Sequence, residues 1–233
     1  MIGFFADYKI CPRDKLNRNL KNKKGGIVIN NDNNFMVICV VGQPGAGKDA
    51  LAEHFVTKRN FSHISTGDII REEMRKKNIP TGRESMRNFS QNRRNEIGNF
   101  YPANIAAGRI VGSTVISGPR NVAEVEFFKN KFGKNFILVS VNAPIEVRYE
   151  RIKKGRGREG DNISFDEFKK QEETEYKCNS GTHELNKLLS MADFIIDNGG
   201  TLADLYDQAN KVILKIAVAL VFGGTSKIIY PVK

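Results

Sequence analysis

A chain of 233 residues, 40% hydrophobic and 27% charged, is long enough for one substantial domain with tails to spare and needs no staples to form a core. Its three cysteines, Cys11, Cys39 and Cys178, are scattered, which argues against a zinc cluster or disulfide framework and fits a reducing cytoplasm. The net charge of +11 favours polyanions, whether nucleic acid, a membrane surface or a small phosphorylated substrate, without choosing among them.

Residues 1–34 are rich in Asn, Lys and Arg, with Lys15, Arg18, Lys21, Lys23 and Lys24 close together. They read as a basic extension, either a solvated tail or an arm for a nucleic acid or protein partner. Met1 to Ile10 lack the continuous apolar stretch of a secretory signal. The apolar runs 35–41 and 216–222 are too short to span a bilayer, so no export or membrane contact is expected.

From Phe35 the pattern changes to short β-branched runs alternating with helical stretches. Residues 35–41, 61–65, 114–117, 136–141 and 194–196 are predicted as buried strands of a parallel sheet. Between them, 48–59, 68–77, 84–97, 122–132, 144–154 and 165–191 are predicted helices, and 201–219 a final one. Thr81-Gly82-Arg83-Glu84 has capping-box spacing, which predicts a helix start near Gly82. This alternation is that of a doubly wound α/β domain, here 35–215. The end, 216–233, contains a turn and a short predicted strand.

Gly42-Gln43-Pro44-Gly45-Ala46-Gly47-Lys48-Asp49 follows the first strand and opens a helix, the context of a phosphate-binding P-loop. The glycines let successive N–H groups turn into one concavity, and with the helix N-terminus these bind phosphate oxygens while Lys48 reaches the β- and γ-phosphates of ATP. Asp49 stands where the pattern has a Ser or Thr that ligates Mg²⁺.

Ser65-Thr66-Gly67-Asp68-Ile69-Ile70-Arg71 follows the second strand and resembles the STGD segment of adenylate kinases. The resemblance implies that Thr66 contacts the acceptor base, Arg71 its phosphate, and that Asp68 lies near the metal's water shell. Ser117-Gly118-Pro119-Arg120 resembles the D-G-x-P/x-R element of the same kinases, with Arg120 implied as a second phosphate clamp and Ser117 in place of the metal-binding Asp. Glu124 occupies a position near the acceptor base, able to accept from a guanine or cytosine edge, or else is a helix-surface charge. Asp49 and Ser117 read in two ways: a carboxylate and a hydroxyl exchanged around Mg²⁺, with Asp68 in support, or a degenerate kinase that binds nucleotide and turns over poorly.

Arg148, Arg151, Arg156 and Arg158 lie where related kinases carry a helix leading to a small lid over the phosphates, or else form a solvated face. Ala192 to Leu202, with Asn198-Gly199, resembles the element of dephospho-CoA kinases that borders the donor adenine. Together these residues resemble the dephospho-CoA-kinase-like and adenylate-kinase-like branch of P-loop nucleotide kinases. That implies a P-loop NTPase three-layer fold, a five-stranded parallel sheet of order 2-3-1-4-5, and phosphoryl transfer from ATP with Mg²⁺ to a nucleotide acceptor. The implied catalytic residues are Lys48, Asp68, Arg120 and Arg156. The donor would be bound by Gly42, Pro44, Gly45, Ala46, Gly47, Lys48, Asp49, Arg151, Asn198 and Gly199. With dephospho-CoA the acceptor atom is a ribose hydroxyl, and Asp68 becomes the candidate base. A rival reading is a nucleotide-regulated protein that binds RNA through residues 1–34.

Overall fold

The computed structural model describes residues 35–155, 163–177 and 182–222, all within the compact unit Asn33–Lys233. Five strands, β1 (Val37–Val41), β2 (Ser62–Ser65), β3 (Thr114–Ser117), β4 (Phe136–Asn142) and β5 (Phe194–Asp197), form one parallel sheet. Its order is β2-β3-β1-β4-β5, the order implied by the kinase resemblance. Every residue of β1 is buried, as an all-apolar, β-branched central strand requires.

Alternation along β1 divides the core in two. Ile38 and Val40 face helices α1 (Lys48–Arg59) and α9 (Leu202–Phe222), packing with Leu51, Phe55, Leu205 and Ile213. Val37, Cys39 and Val41 face α5 (Val122–Phe132) and α8 (Thr182–Met191), packing with Val125, Phe128 and Leu188. Because β1 sits between β3 and β4, the chain leaves it in one direction and returns on the other side. This places a crevice at the strands' carboxyl ends, where ligands of open α/β sheets bind.

The helices differ from expectation in instructive places. Helix α2 (Thr66–Lys76) begins earlier than predicted because Ser65 is its N-cap, its Oγ accepting from Asp68 N at 3.2 Å. Helix α3 (Arg83–Ile97) is capped by Gly82 without a side-chain bond, so the Thr81–Glu84 box is not formed. Within the stretch 165–191 expected as one helix, the structure describes α7 (Phe165–Lys177) and α8, and residues 178–181 lie outside the described residues. Helix α4 (Ala103–Gly108) was not foreseen, although Ala103, Ala106 and Ala107 have helical spacing and are all buried. Helix α6 (Ile145–Gly155) follows β4 as expected. Helix α9 runs to Phe222 rather than 219, with Ile216 in the core. The strand predicted in the last residues lies outside the described residues. Among the described residues, no helix is long and apolar enough to cross a membrane.

Candidate functional site

The loop between β1 and α1 has the geometry its glycines permit. Gly45 and Gly47 adopt φ of 78° and 103°. A Cβ on Gly47 would lie 2.1 Å from Asn198 Nδ2, and one on Gly45 would lie 2.6 Å from Arg148 O. Both glycines are therefore required twice, by backbone angle and by contact. Lys48 folds back over the loop, its Nζ donating to Gly42 O at 2.8 Å and Gln43 O at 2.9 Å. This is an ammonium poised among carbonyls at the mouth of a phosphate cradle.

Two distant segments hold this loop. Asn198, at the end of β5, donates from Nδ2 to Ala46 O at 2.8 Å and accepts from Arg151 Nη2 at 3.4 Å. Arg151 also donates to Gly200 O at 3.3 Å, while its Nη1 is buried without a partner. Gly199 N is held by Asp197 Oδ1 at 2.9 Å, closing the turn after β5. The expected donor residues Arg151, Asn198 and Gly199 are thus gathered beside the P-loop.

Arg148, expected either to serve the lid over the phosphates or to lie on a solvated helix face, does neither. It is 3% exposed, donates to Pro44 O at 3.3 Å and Ala143 O at 3.0 Å, and forms a two-pronged ion pair with Glu172 of α7. It braces the P-loop from below. Arg156 and Arg158 lie outside the described residues, as does the lid they were expected to form.

Of the three residues expected around a metal, Ser117 touches an imidazole that sequence reasoning missed, His63, and the other two reach it by charge. His63 Nε2 lies 2.8 Å from the Ser117 Oγ, and the charges of Asp49 and Asp68 both act on the ring. Burial lowers the His63 pKa and the two carboxylates oppose that shift, so the ring favours its neutral form. Asp49 occupies the first turn of α1, where a carboxylate is favoured by the helix dipole. Among the described residues, no three or more His, Cys, Asp or Glu side chains are grouped to hold a metal by themselves. Two carboxylates and a hydroxyl nevertheless suit Mg²⁺, which keeps waters and phosphates in its shell and takes only one or two protein carboxylates.

On the β3 side, Thr66 is 1% exposed and its hydroxyl donates to Ser117 O at 3.4 Å. Arg71 is paired with Asp68, Nη1 to Oδ1 at 2.5 Å. Arg120 is exposed, and its backbone N–H donates to Glu124. Glu124 itself is 1% exposed, and its carboxylate accepts from Arg94 Nη2 of α3 at 3.1 Å. Burial pushes its pKa up to about 7 against the opposing pull of Arg94 and Arg120. Asn121 caps α5, accepting from Glu124 N at 2.8 Å, and donates to Asn99 O at 3.0 Å. Arg94 carried no signal in the sequence, since an Arg on an Arg-rich helix reads as surface.

Comparison with known proteins places the chain in a family and a fold. Residues 41–168 match the AAA domain family. A UPF0200 protein of Pyrococcus horikoshii is 33% identical over 188 residues, covering 78% of this chain and 97% of that protein. One from Thermococcus gammatolerans is 31% identical over 196 residues, covering 81% and 100%. Among solved structures, the shikimate kinase of Acinetobacter baumannii in complex with shikimate superposes with a TM-score of 0.53 at 17% identity, covering 80% of this chain and 95% of that one. The likeness is one of fold, and the expected P-loop kinase architecture is met.

Proposed function

We propose that this chain, which belongs to the UPF0200 family and carries its AAA domain at residues 41–168, is a nucleotide kinase that transfers the γ-phosphoryl of ATP to a (deoxy)nucleoside monophosphate. One observation carries the reading: the P-loop follows β1, while Ser117–Arg120 follow the neighbouring strand β3, with the Thr66 hydroxyl bonded to Ser117 O. A phosphate cradle beside a second segment that carries arginines is the arrangement an in-line phosphoryl transfer needs.

In this reading the P-loop amides and Lys48 hold the β- and γ-phosphates, with Arg151, Asn198 and Gly199 bordering the donor base. Arg71 leaves Asp68 to take the acceptor phosphate together with Arg120. An acceptor phosphate oxygen attacks the γ-phosphorus, the bond to the β-phosphate oxygen breaks, and ADP leaves. The acceptor is already an anion, so no general base is required. Bound Mg²⁺ would neutralise charge on the phosphate oxygens, with Asp49, Ser117 and Asp68 available toward it and His63 orienting the Ser117 hydroxyl. Arg156 would add charge stabilisation from the lid. The enzyme would work in the cytoplasm, and residues 1–34 would supply a contact for nucleic acid or a protein partner.

The 71% exposure of the Asp68 side chain favours a second reading, dephospho-CoA kinase, in which that carboxylate takes the proton of a ribose hydroxyl. A coupled ADP-release assay over nucleoside monophosphates, their deoxy forms and dephospho-CoA tests both. Stimulation by a monophosphate supports the first, and stimulation by dephospho-CoA alone supports the second. Failure of every acceptor, with salt-sensitive RNA binding lost on deletion of 1–34, would leave a nucleotide-regulated binding protein.

A further inference from the structure

We propose that Arg94 of α3 is a third acceptor-binding arginine, held in position by Glu124, and that the site therefore takes an acceptor whose recognised group is an anion. The inference rests on the kinase reading for the word acceptor, but its physical content is anion binding next to Arg120. Glu124 is a fully buried carboxylate that two cationic residues face: Arg94 directly at 3.1 Å, and Arg120, whose backbone N–H it accepts. The carboxylate is matched by the Arg94 guanidinium, and the exposed Arg120 nearby adds positive charge, so the local balance favours a second anion.

The donor count points the same way. A guanidinium has five N–H donors in a fixed fork. The Glu124 carboxylate takes one of Arg94's, on Nη2, and Arg94 Nε is buried with no partner. Unsatisfied buried donors are rare and mark a place where something is missing. Arg93, its neighbour, contrasts: it is engaged by Glu73 at 3.2 Å and by Glu96 at 2.6 Å. Arg94 keeps a side-chain exposure of 19%, so part of its fork still reaches solvent. Glu124 is fixed in turn by Asn121, which bonds its backbone N–H. Its burial and its ion pair make it a positioning residue rather than a reader of the acceptor base.

The test uses the full chain with the P-loop saturated by Mg²⁺ and a non-hydrolysable ATP analogue, so that inorganic phosphate reports only the second site. Phosphate affinity is followed by thermal shift and calorimetry. The variants are Arg94→Lys, Glu124→Gln and the double Arg94→Ala/Glu124→Gln, the double avoiding an unpaired buried carboxylate. The double is expected to bind phosphate about tenfold to a hundredfold more weakly, with unchanged affinity for the ATP analogue, as loss of a charge-assisted bond requires. Arg94→Lys recovers part of that loss. In turnover, the double raises the acceptor KM more than it lowers kcat. Phosphate binding equal to wild type in a folded double variant overturns the proposal, as does wild type that binds no phosphate once the P-loop is filled. If phosphate binding depends on Arg94 while no acceptor accelerates ADP release, the kinase reading fails and the anion site stands.

Discussion

Asn198 reaches across 152 positions of sequence to hold the Ala46 carbonyl with its Nδ2 at 2.8 Å, and it fills the space that a side chain on Gly47 would need. The end of β5 and the P-loop are thus one mechanical unit. Gly47→Ala is expected to destabilise the fold by about 1–3 kcal/mol, from a φ of 103° and the clash with Asn198, and to abolish nucleotide binding. Asn198→Ala, which removes one buried hydrogen bond, should cost about 1–2 kcal/mol and weaken binding without abolishing it. Thermal unfolding and fluorescent-nucleotide titration measure both, and unimpaired binding by Gly47→Ala would count against this account of the loop.

Lys48 is held by two carbonyls of its own loop, contacts that a phosphate must replace. Lys48→Ala should therefore leave the melting temperature near that of wild type while lowering turnover roughly 10²–10³-fold, the scale of losing one charge aimed at the reacting phosphate. ADP release and thermal unfolding, run side by side, separate the two effects.

The exchange of carboxylate and hydroxyl between Asp49 and Ser117 has a direct test. Asp49→Asn and Ser117→Ala should each reduce the Mg²⁺ dependence of nucleotide affinity, while the double Asp49→Ser/Ser117→Asp restores most of it. Affinity is titrated with and without Mg²⁺, next to turnover. Single variants with intact Mg²⁺ dependence in both measurements would rule the exchange out.

The Arg148–Glu172 pair supports the P-loop from a buried position, at side-chain exposures of 3% and 13%. Replacing Arg148 by Met leaves Glu172 and Pro44 O without their donor, and removing one partner of a buried pair costs about 3–5 kcal/mol. Urea denaturation should register that loss. Replacement of both, Arg148→Met with Glu172→Leu, should recover much of the stability but not the nucleotide affinity, because the brace on Pro44 stays broken.

Glu124 makes stability depend on pH in a defined direction. Its pKa is raised by burial from 4.5 to about 7, with Arg94 and Arg120 opposing the rise and the buried Cys39 thiol also near it. Between those two values the folded state holds more protons than the unfolded one, so stability falls as pH climbs through this window and levels off above it. The loss is on the order of a few kcal/mol. Glu124→Gln should flatten this segment of the curve, and a wild-type-like slope in that variant would assign the dependence to other groups.

The sequence alone determined the elements and the loop that carries the phosphate chemistry. Strand β1 and the run Gly42 to Lys48 are local signals: a short, largely β-branched apolar run reads as a buried strand, and the glycines with Lys48 at that spacing read as a phosphate-binding turn. Thr66, Arg71 and Arg120 were singled out by the resemblance of their segments to adenylate kinases, and these segments follow β2 and β3 in the fold. The short helix α4 was not legible, because tertiary burial of three alanines outweighs window-averaged propensity. Tertiary structure alone decided which side chains face one another. His63 meets Ser117 across 54 positions, Arg94 meets Glu124 across 30, and Arg148 meets Pro44 across 104. No periodicity encodes such pairs, since each depends on how strands are ordered in the sheet and which turn of a helix lies over them. The P-loop could be read from its own residues, whereas the meetings of His63 with Ser117 and of Arg94 with Glu124 exist only once the sheet has formed.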